Sequence, residues 1–229
     1  SDYNYSAASG LKTWDQTKFN NVGWDDLTVN NTSDVLDDVN SYTGKLSLDA
    51  TSKNTVSTGL TNNYNITYTD SFAINKADLT YVAKGTRVYG EANSTSGEDY
   101  SFTFDGLKNG QTIDGDKLTV TNNTSIQANA GSNQTVASAS GFNASGSTGF
   151  KESNYNISTV EANNKYTITP ASLTINIDGS RIYGDTNDTS EYNYSAASGL
   201  KTWDQTKFNN VGWDGLTVNN TSGVLDDGD

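Results

Sequence analysis

The chain has no cysteine, no histidine and no methionine, and a single proline. The first three absences remove disulfides, every thiol nucleophile, the commonest metal ligand and the usual near-neutral general base, and most enzyme classes go with them. Lack of cysteine suits an exported Gram-positive protein and a cytosolic one equally, so it does not place the chain. Arginine is also scarce, with only Arg87 and Arg181, and 27 acidic against 14 basic residues give a net charge of −13. That charge repels nucleic acid and anionic membranes and keeps long arrays soluble. No apolar run approaches the ~18 residues of a membrane span, and no signal peptide or wall-anchor motif is present. Only 33% of residues are apolar, a range in which disorder must be weighed. Against it stand 10% aromatics and alternating runs such as YNITYT (64–69) and KYTITPASLTINI (165–177), which make sense as half-buried strands.

What is present is repetition. Residues 1–38 return at 190–227 with three differences, Asp2/Glu191, Asp26/Gly215 and Asp34/Gly223. Near-identity at this length implies duplication within an array, because an enzyme fold gains nothing from a verbatim second copy of part of itself. A fainter repeat lies inside, offset by 94: ADLT (77–80) matches ASLT (171–174), and GTRVYG (85–90) matches GSRIYG (179–184). The chain therefore reads as two module types. Residues 77–170 form a complete type-A repeat, 1–76 a type-B repeat lacking its first strands, and 171–229 the first part of a second type-B repeat. Joined at their shared stretch, the B pieces make a module of 95 residues, which with the 94 of A returns the observed offset of 189. On these boundaries both terminal pieces have open edges. Two outcomes are expected: residues 171–189 of one chain complete 1–76 of the next, head to tail, or the true boundaries lie near residues 1, ~97 and 190.

Along module A, LTYVAK (79–84) and TRVYG (86–90) predict two strands separated by a turn or bulge at Gly85, and YSFTF (100–104) predicts a third. The modules differ after the shared Gly-Leu-Lys. Module A continues with Asn-Gly and Asp-Gly turns, whereas B carries an insert five residues longer, TWDQTKFNNVGWDG (202–215), in which Thr202 or Asp204 could cap one or two helical turns. Segment 121–150 is predicted as edge strands with loops. NYNISTV with KYTITPA, and NYNITYT with SFAIN, are predicted as closing hairpins. Helical periodicity appears only in the B insert, so the expected class is all-β: tandem small β modules, sandwich or β-grasp-like, stacked end to end, with at most a short helical turn in the Trp-containing insert. Closing and opening strands meet without a spacer at 168–173, where Pro170 stiffens a semi-rigid rod.

Tyr89, Gly90 and Glu91 in A, Tyr183, Gly184 and Asp185 in B, the pairs Gly106-Leu107 and Gly199-Leu200, and the closing Tyr-Thr-Ile-Thr at 166–169 form a pattern. It resembles the MBG-type tandem repeats of bacterial mucin-binding and haemagglutinin-like surface adhesins. That family usually places Pro where this chain has Ser94 and Asp188. The resemblance implies a β-rich module of an extracellular, cell-surface protein, attached to the wall through regions outside these residues, with mucin or other host glycans as partners and no catalytic residues or cofactor.

The residues allow sharper readings. All four tryptophans, Trp14, Trp24, Trp203 and Trp213, lie in the B insert. Exposed Trp faces beside Asn and Asp are a common way to grip sugars, while the plainer role is to anchor the insert on a core poor in aliphatics. The acidic clusters at 34–38, 114–116 and 185–188 have no known calcium-loop spacing and read as solvated turns. Arg87 and Arg181 are expected in ion pairs with carboxylates. No flanking pattern marks a Lys–Asn isopeptide pair, and nothing places two carboxylates together for sugar hydrolysis. The expected function is a non-enzymatic stalk segment of a surface adhesin with weak multivalent glycan contacts. The alternatives are a mechanical spacer without ligand and an accessory repeat region of a secreted carbohydrate-active enzyme.

Overall fold

A computed structural model describes residues 3–7, 9–131, 133–134, 136–143, 147–160, 163, 165–186 and 192–219. Asp188, the end of the 185–188 cluster and the last residues of the second duplicate lie outside the described residues. In chain order the strands are β1 (Val29–Asn31), β2 (Asn40–Tyr42), β3 (Leu46–Leu48), β4 (Phe72–Ile74), β5 (Ala77–Val88), β6 (Tyr100–Asp105), β7 (Thr119–Thr121), β8 (Asn133–Gln134), β9 (Ser138–Ser140), β10 (Tyr155–Thr159), β11 (Lys165–Thr169), β12 (Thr174–Asp178) and β13 (Asn193–Ser198). The α-helices are α1 (Gln16–Asn20), α2 (Ala50–Gly59) and α3 (Gln205–Asn209). The fold is mainly β.

The chain divides into two compact units that do not follow the module boundaries. The first gathers described residues of Ser1–Tyr81, Phe104–Asp114 and Phe142–Ser158, and the second those of Val82–Thr103, Gly115–Gly141 and Thr159–Asp229. Module A is thus shared between them, and β5 passes from one to the other.

Strand β5 is the spine of the only five-stranded sheet among the described residues. It pairs with β6 and β10, and with β11 in parallel over Lys165↔Lys84 to Thr169↔Val88; β8 adds antiparallel to the far side of β11. Its inward positions Leu79, Tyr81 and Ala83 are buried, as a period-2 strand requires. Two expectations are corrected here. Gly85 makes no turn, because β5 runs unbroken through it and keeps register with β11. A Cβ at Gly85 would lie 2.6 Å from Tyr100 Cδ1 and 3.0 Å from Tyr166 Cε2, so glycine is present to admit two rings that stack 5.7 Å apart. Nor do β10 and β11 form a closing hairpin; β5 lies between them.

The first unit also holds the antiparallel pairs β1–β3 and β2–β4. The predicted hairpin of 63–69 with 71–75 is absent: β4 pairs with β2, and 63–71 is outside any strand. Helix α2, ten residues long, exceeds the short helical turn expected of the whole chain. Its N-terminus is capped by Asp49, whose carboxylate accepts the Ser52 amide at 2.7 Å. Its single inward Val56 joins Val22, Leu48 and Leu60 in a core overlain by Tyr5, Leu11, Phe19, Trp24, Leu27, Val29, Tyr64 and Ile66. The second unit adds the β7–β9 and β12–β13 pairs, with Leu118, Val120, Val136, Tyr166 and Ile168 buried.

Candidate functional site

In module A and in the first B piece, one tyrosine pins the Gly-Leu-Lys turn. In A, the Tyr155 hydroxyl accepts the Lys108 amide at 3.0 Å and donates to Gln111 Oε1. In the first B piece, Tyr64 accepts the Lys12 amide at 3.2 Å and donates to Asp15 Oδ2 at 2.7 Å. Both tyrosines come from the repeated Asn-Tyr-Asn-Ile, and Gln111 and Asp15 each lie three residues past the lysine. The recurrence shows A and B folding this region alike. Asp15 also receives Lys18 at 2.8 Å; the ammonium first, then the Tyr64 hydroxyl, holds its carboxyl below the usual range.

The insert that follows repeats its geometry in the two B pieces. Trp24 stacks on Tyr5 with centroids 4.9 Å apart, packs 4.7 Å from Phe19 and donates its indole N–H to the Phe19 carbonyl at 2.8 Å. Trp213 stacks on Tyr194 at 4.9 Å, packs 4.8 Å from Phe208 and donates to the Phe208 carbonyl at 2.9 Å. Both rings are therefore half-buried and committed to packing against their own insert.

Trp14 and Trp203 part company. Trp203 donates its indole N–H to the Tyr89 hydroxyl at 2.7 Å and meets that ring edge-on at 6.3 Å. The hydroxyl in turn donates to Asp204 Oδ2 at 2.7 Å, the oxygen whose counterpart on Asp15 serves Tyr64. Lys207 binds the other oxygen at 2.8 Å, and these two donors, Lys207 first, keep the Asp204 carboxyl below its ordinary value. A Cβ on the neighbouring Gly90 would collide with the Lys201 stem. Here the Tyr-Gly turn of A grips the insert of the following B, and a shallow cleft of about 340 Å³ opens beside it, lined by Asn129, Pro170, Leu173, Lys201, Asp204 and Lys207 among others. Trp14, the same residue in the other B piece, has no such cover and is 76% exposed.

The first B piece meets A through a different set of groups. Asp38 receives Lys151 Nζ at 2.7 Å and Asn154 Nδ2 at 2.9 Å, Asn154 Oδ1 accepts the Val39 amide at 3.0 Å, and Asn109 donates to the Val35 carbonyl at 2.9 Å. These contacts explain the unit boundaries: each half of A is tied to the B piece beside it.

Arg87 departs from expectation. It is buried, yet its partners are neutral: Asn93 Oδ1 at 2.9 Å and the carbonyls of Val88 and Ser125. Asn93 completes the clamp by donating to the Asn122 and Thr124 carbonyls at 2.9 and 2.7 Å. Neutral acceptors suffice because the guanidinium presents five donors and carbonyl oxygens surround it. Sequence reasoning missed Asn93, although its place two residues after Glu91 in the Tyr-Gly motif was a signal.

Among the described residues no three carboxylates come together in a way that could hold a metal ion, and no helix is long and apolar enough to cross a membrane. No protein-family model, curated protein or solved structure matches the chain.

Proposed function

We propose that the chain is a non-enzymatic stalk segment of a bacterial cell-surface adhesin, built from tandem MBG-like, β-grasp-like modules. The parallel pairing of β5 with β11 supports the β-grasp-like reading over a sandwich. The observation that carries the stalk reading is the Tyr89–Trp203–Asp204 joint. The strand run from β11 into β12 passes directly through Pro170, and Trp203, one of the four candidate glycan contacts, is committed to the neighbouring module. A joint that commits Tyr89, Trp203 and Asp204 to packing of A against the following B piece favours reach and stiffness. Glycan contact then falls to surface Asn and Asp and, in this chain, to the exposed Trp14.

Binding of mucin and of a glycan array by the intact chain, compared with Trp14→Ala, tests the ligand half of the proposal. Loss of binding in Trp14→Ala supports a glycan-contacting stalk. Absence of binding in both leaves the mechanical spacer, and binding unaffected by the substitution removes Trp14 from the site.

A further inference from the structure

We infer that the solvent face of strands β5 and β11 in module A binds an acidic sugar residue between Lys84 and Lys165, which rests on the proposed glycan contact and narrows it to one ligand class. Strand β11 pairs with β5 in parallel, with Lys165 directly opposite Lys84. Partners on neighbouring strands point to the same face about 5 Å apart, so the pairing sets two ammonium groups side by side. The next residues along, Ala83 and Tyr166, are buried, which leaves both lysines on the solvent side, where both are exposed. Like charges directly opposite one another are destabilising.

No carboxylate offsets that repulsion. Among the described residues the ion pairs use Lys18, Lys45, Lys151 and Lys207, and neither Lys84 nor Lys165 has an acidic partner. In a chain with 27 acidic against 14 basic residues, counter-charge is abundant, so the pair is not forced by composition. Nor does the strand pattern require it. At the offset of 94 the type-B sequence has Asp178 in place of Lys84 and Ser71 in place of Lys165. The facing cations are therefore a property of A and not of the repeat in general.

An open groove of about 330 Å³ lies over the pair, lined by Val82, Lys84, Thr103, Asn163 and Lys165. All five belong to module A and to the second compact unit. Their chemistry selects the ligand. Two ammonium groups, point charges without the fork of a guanidinium, suit a carboxylate or a sulfate group. The Thr103 hydroxyl and the Asn163 amide supply donors and acceptors for sugar hydroxyls beside it. Val82 is the one aliphatic side chain in the lining, too little for an apolar or aromatic ligand. The volume sits at the small end of the roughly 300–1,000 Å³ of ligand sites, which suits one or two sugar rings. The net charge of −13 opposes a dense polyanion while the lysine pair attracts a single anionic group. The ligand is thus an otherwise neutral glycan that carries an isolated acidic residue.

The test titrates the intact chain with sialyllactose, sulfated lactose, lactose and inorganic sulfate, followed by amide chemical shifts. The two acidic sugars are expected to move the amides of Val82, Lys84, Thr103, Asn163 and Lys165, less so as salt is raised, with lactose and free sulfate each about tenfold weaker or more. Lys84→Asp and Lys165→Ser restore the type-B residues. Each should lower acidic-sugar affinity by about tenfold or more, and Lys84→Asp, which gives Lys165 a counter-charge, should leave the urea midpoint no lower than the parent's. Lactose or free sulfate binding as tightly as the acidic sugars, or affinity unmoved by both substitutions, overturns the lysine site and leaves glycan contact elsewhere intact. Binding of neutral glycans alone on the array does the same, whereas no binding of any glycan removes the glycan reading together with the site.

Discussion

The hydroxyl of Tyr89 donates to the carboxylate of Asp204 at 2.7 Å, across 115 residues and across the junction of two modules. Trp203 donates to the same hydroxyl, so three side chains of two repeats share one hydrogen-bonded chain. Tyr89→Phe removes its centre and leaves the Trp203 indole without its acceptor. The expected cost is about 1–2 kcal/mol of stability, accompanied by faster proteolysis near Pro170. Urea melts and limited proteolysis read both; unchanged cleavage would show that the joint is held by strand continuity alone.

The four tryptophans should separate cleanly by stability. Trp24→Ala empties a ring that is stacked and hydrogen-bonded on the first core, and its cost is expected at about 3–5 kcal/mol. Trp14→Ala removes an exposed ring and should change stability by no more than about 0.5 kcal/mol. Equal losses, read from denaturant midpoints, would mean that Trp14 packs against something in solution.

The tyrosine anchors predict a graded pair. Tyr155 is buried, and Tyr155→Phe orphans the Lys108 amide in a half-buried site, at a cost of about 1–3 kcal/mol. Tyr64→Phe affects a more exposed bond and should cost about 0.5–1.5 kcal/mol. The two lie in different modules, so the double variant should be additive when unfolding is followed by denaturant titration. A double variant no worse than either single would deny that the anchors are independent.

Much of this architecture was legible in the sequence, for reasons that differ by element. The duplication at 189 and its half-offset placed β5 against β12 and β6 against β13, and the alternation of LTYVAK and YSFTF fixed their inward faces. A glycine required for space looks the same in sequence as one required for positive φ; at Gly85 only the rings of Tyr100 and Tyr166 distinguish them. Neighbours in sequence usually pair, which predicts a hairpin for the closing strands, whereas β5 intervenes. Helix α2 escaped notice because ATSKNTVSTG has three β-branched threonines and a single inward valine, so tertiary packing and the Asp49 cap sustain what propensity does not. For the candidate site, the Trp cluster was visible, but which ring is covered depends on the neighbouring module and not on local sequence, as the identical surroundings of Trp14 and Trp203 show.

Gly85→Ala follows from that correction. A methyl group would lie within 3 Å of two stacked rings in the sheet's interior, and β5 cannot shift without breaking its ladders on both sides. A destabilisation of about 1–3 kcal/mol is expected from overpacking. Gly131→Ala is the contrast: its φ is +78° with open space around it, so only backbone strain of about 1 kcal/mol opposes the change. Thermal melts that rank the two the other way would return Gly85 to the class of turn glycines.

The pH response should be one of flat stability with losses at both extremes. Asp15, Asp38 and Asp204 are held below the usual carboxylate value chiefly by Lys18, Lys151 and Lys207, and Asp70 by the Leu46 and Gly44 amides. A depressed folded value means that the unfolded chain binds protons first. The stabilisation is therefore complete above the unfolded value of about 3.9 and drains away as pH falls through the folded values. At the other end, burial and then Tyr100 push Tyr166 up to about 12. The raised value contributes stability below the unfolded tyrosine value of about 10 that is lost as pH rises through the folded one. With no histidine and no cysteine, no side chain of ordinary pKa titrates near neutrality. Urea midpoints measured from pH 2 to pH 12 should trace this plateau, and Asp15→Asn with Asp204→Asn should flatten the acid limb. A decline beginning near pH 6, or an acid limb indifferent to both substitutions, would assign the loss to general charge imbalance instead of to the paired carboxylates.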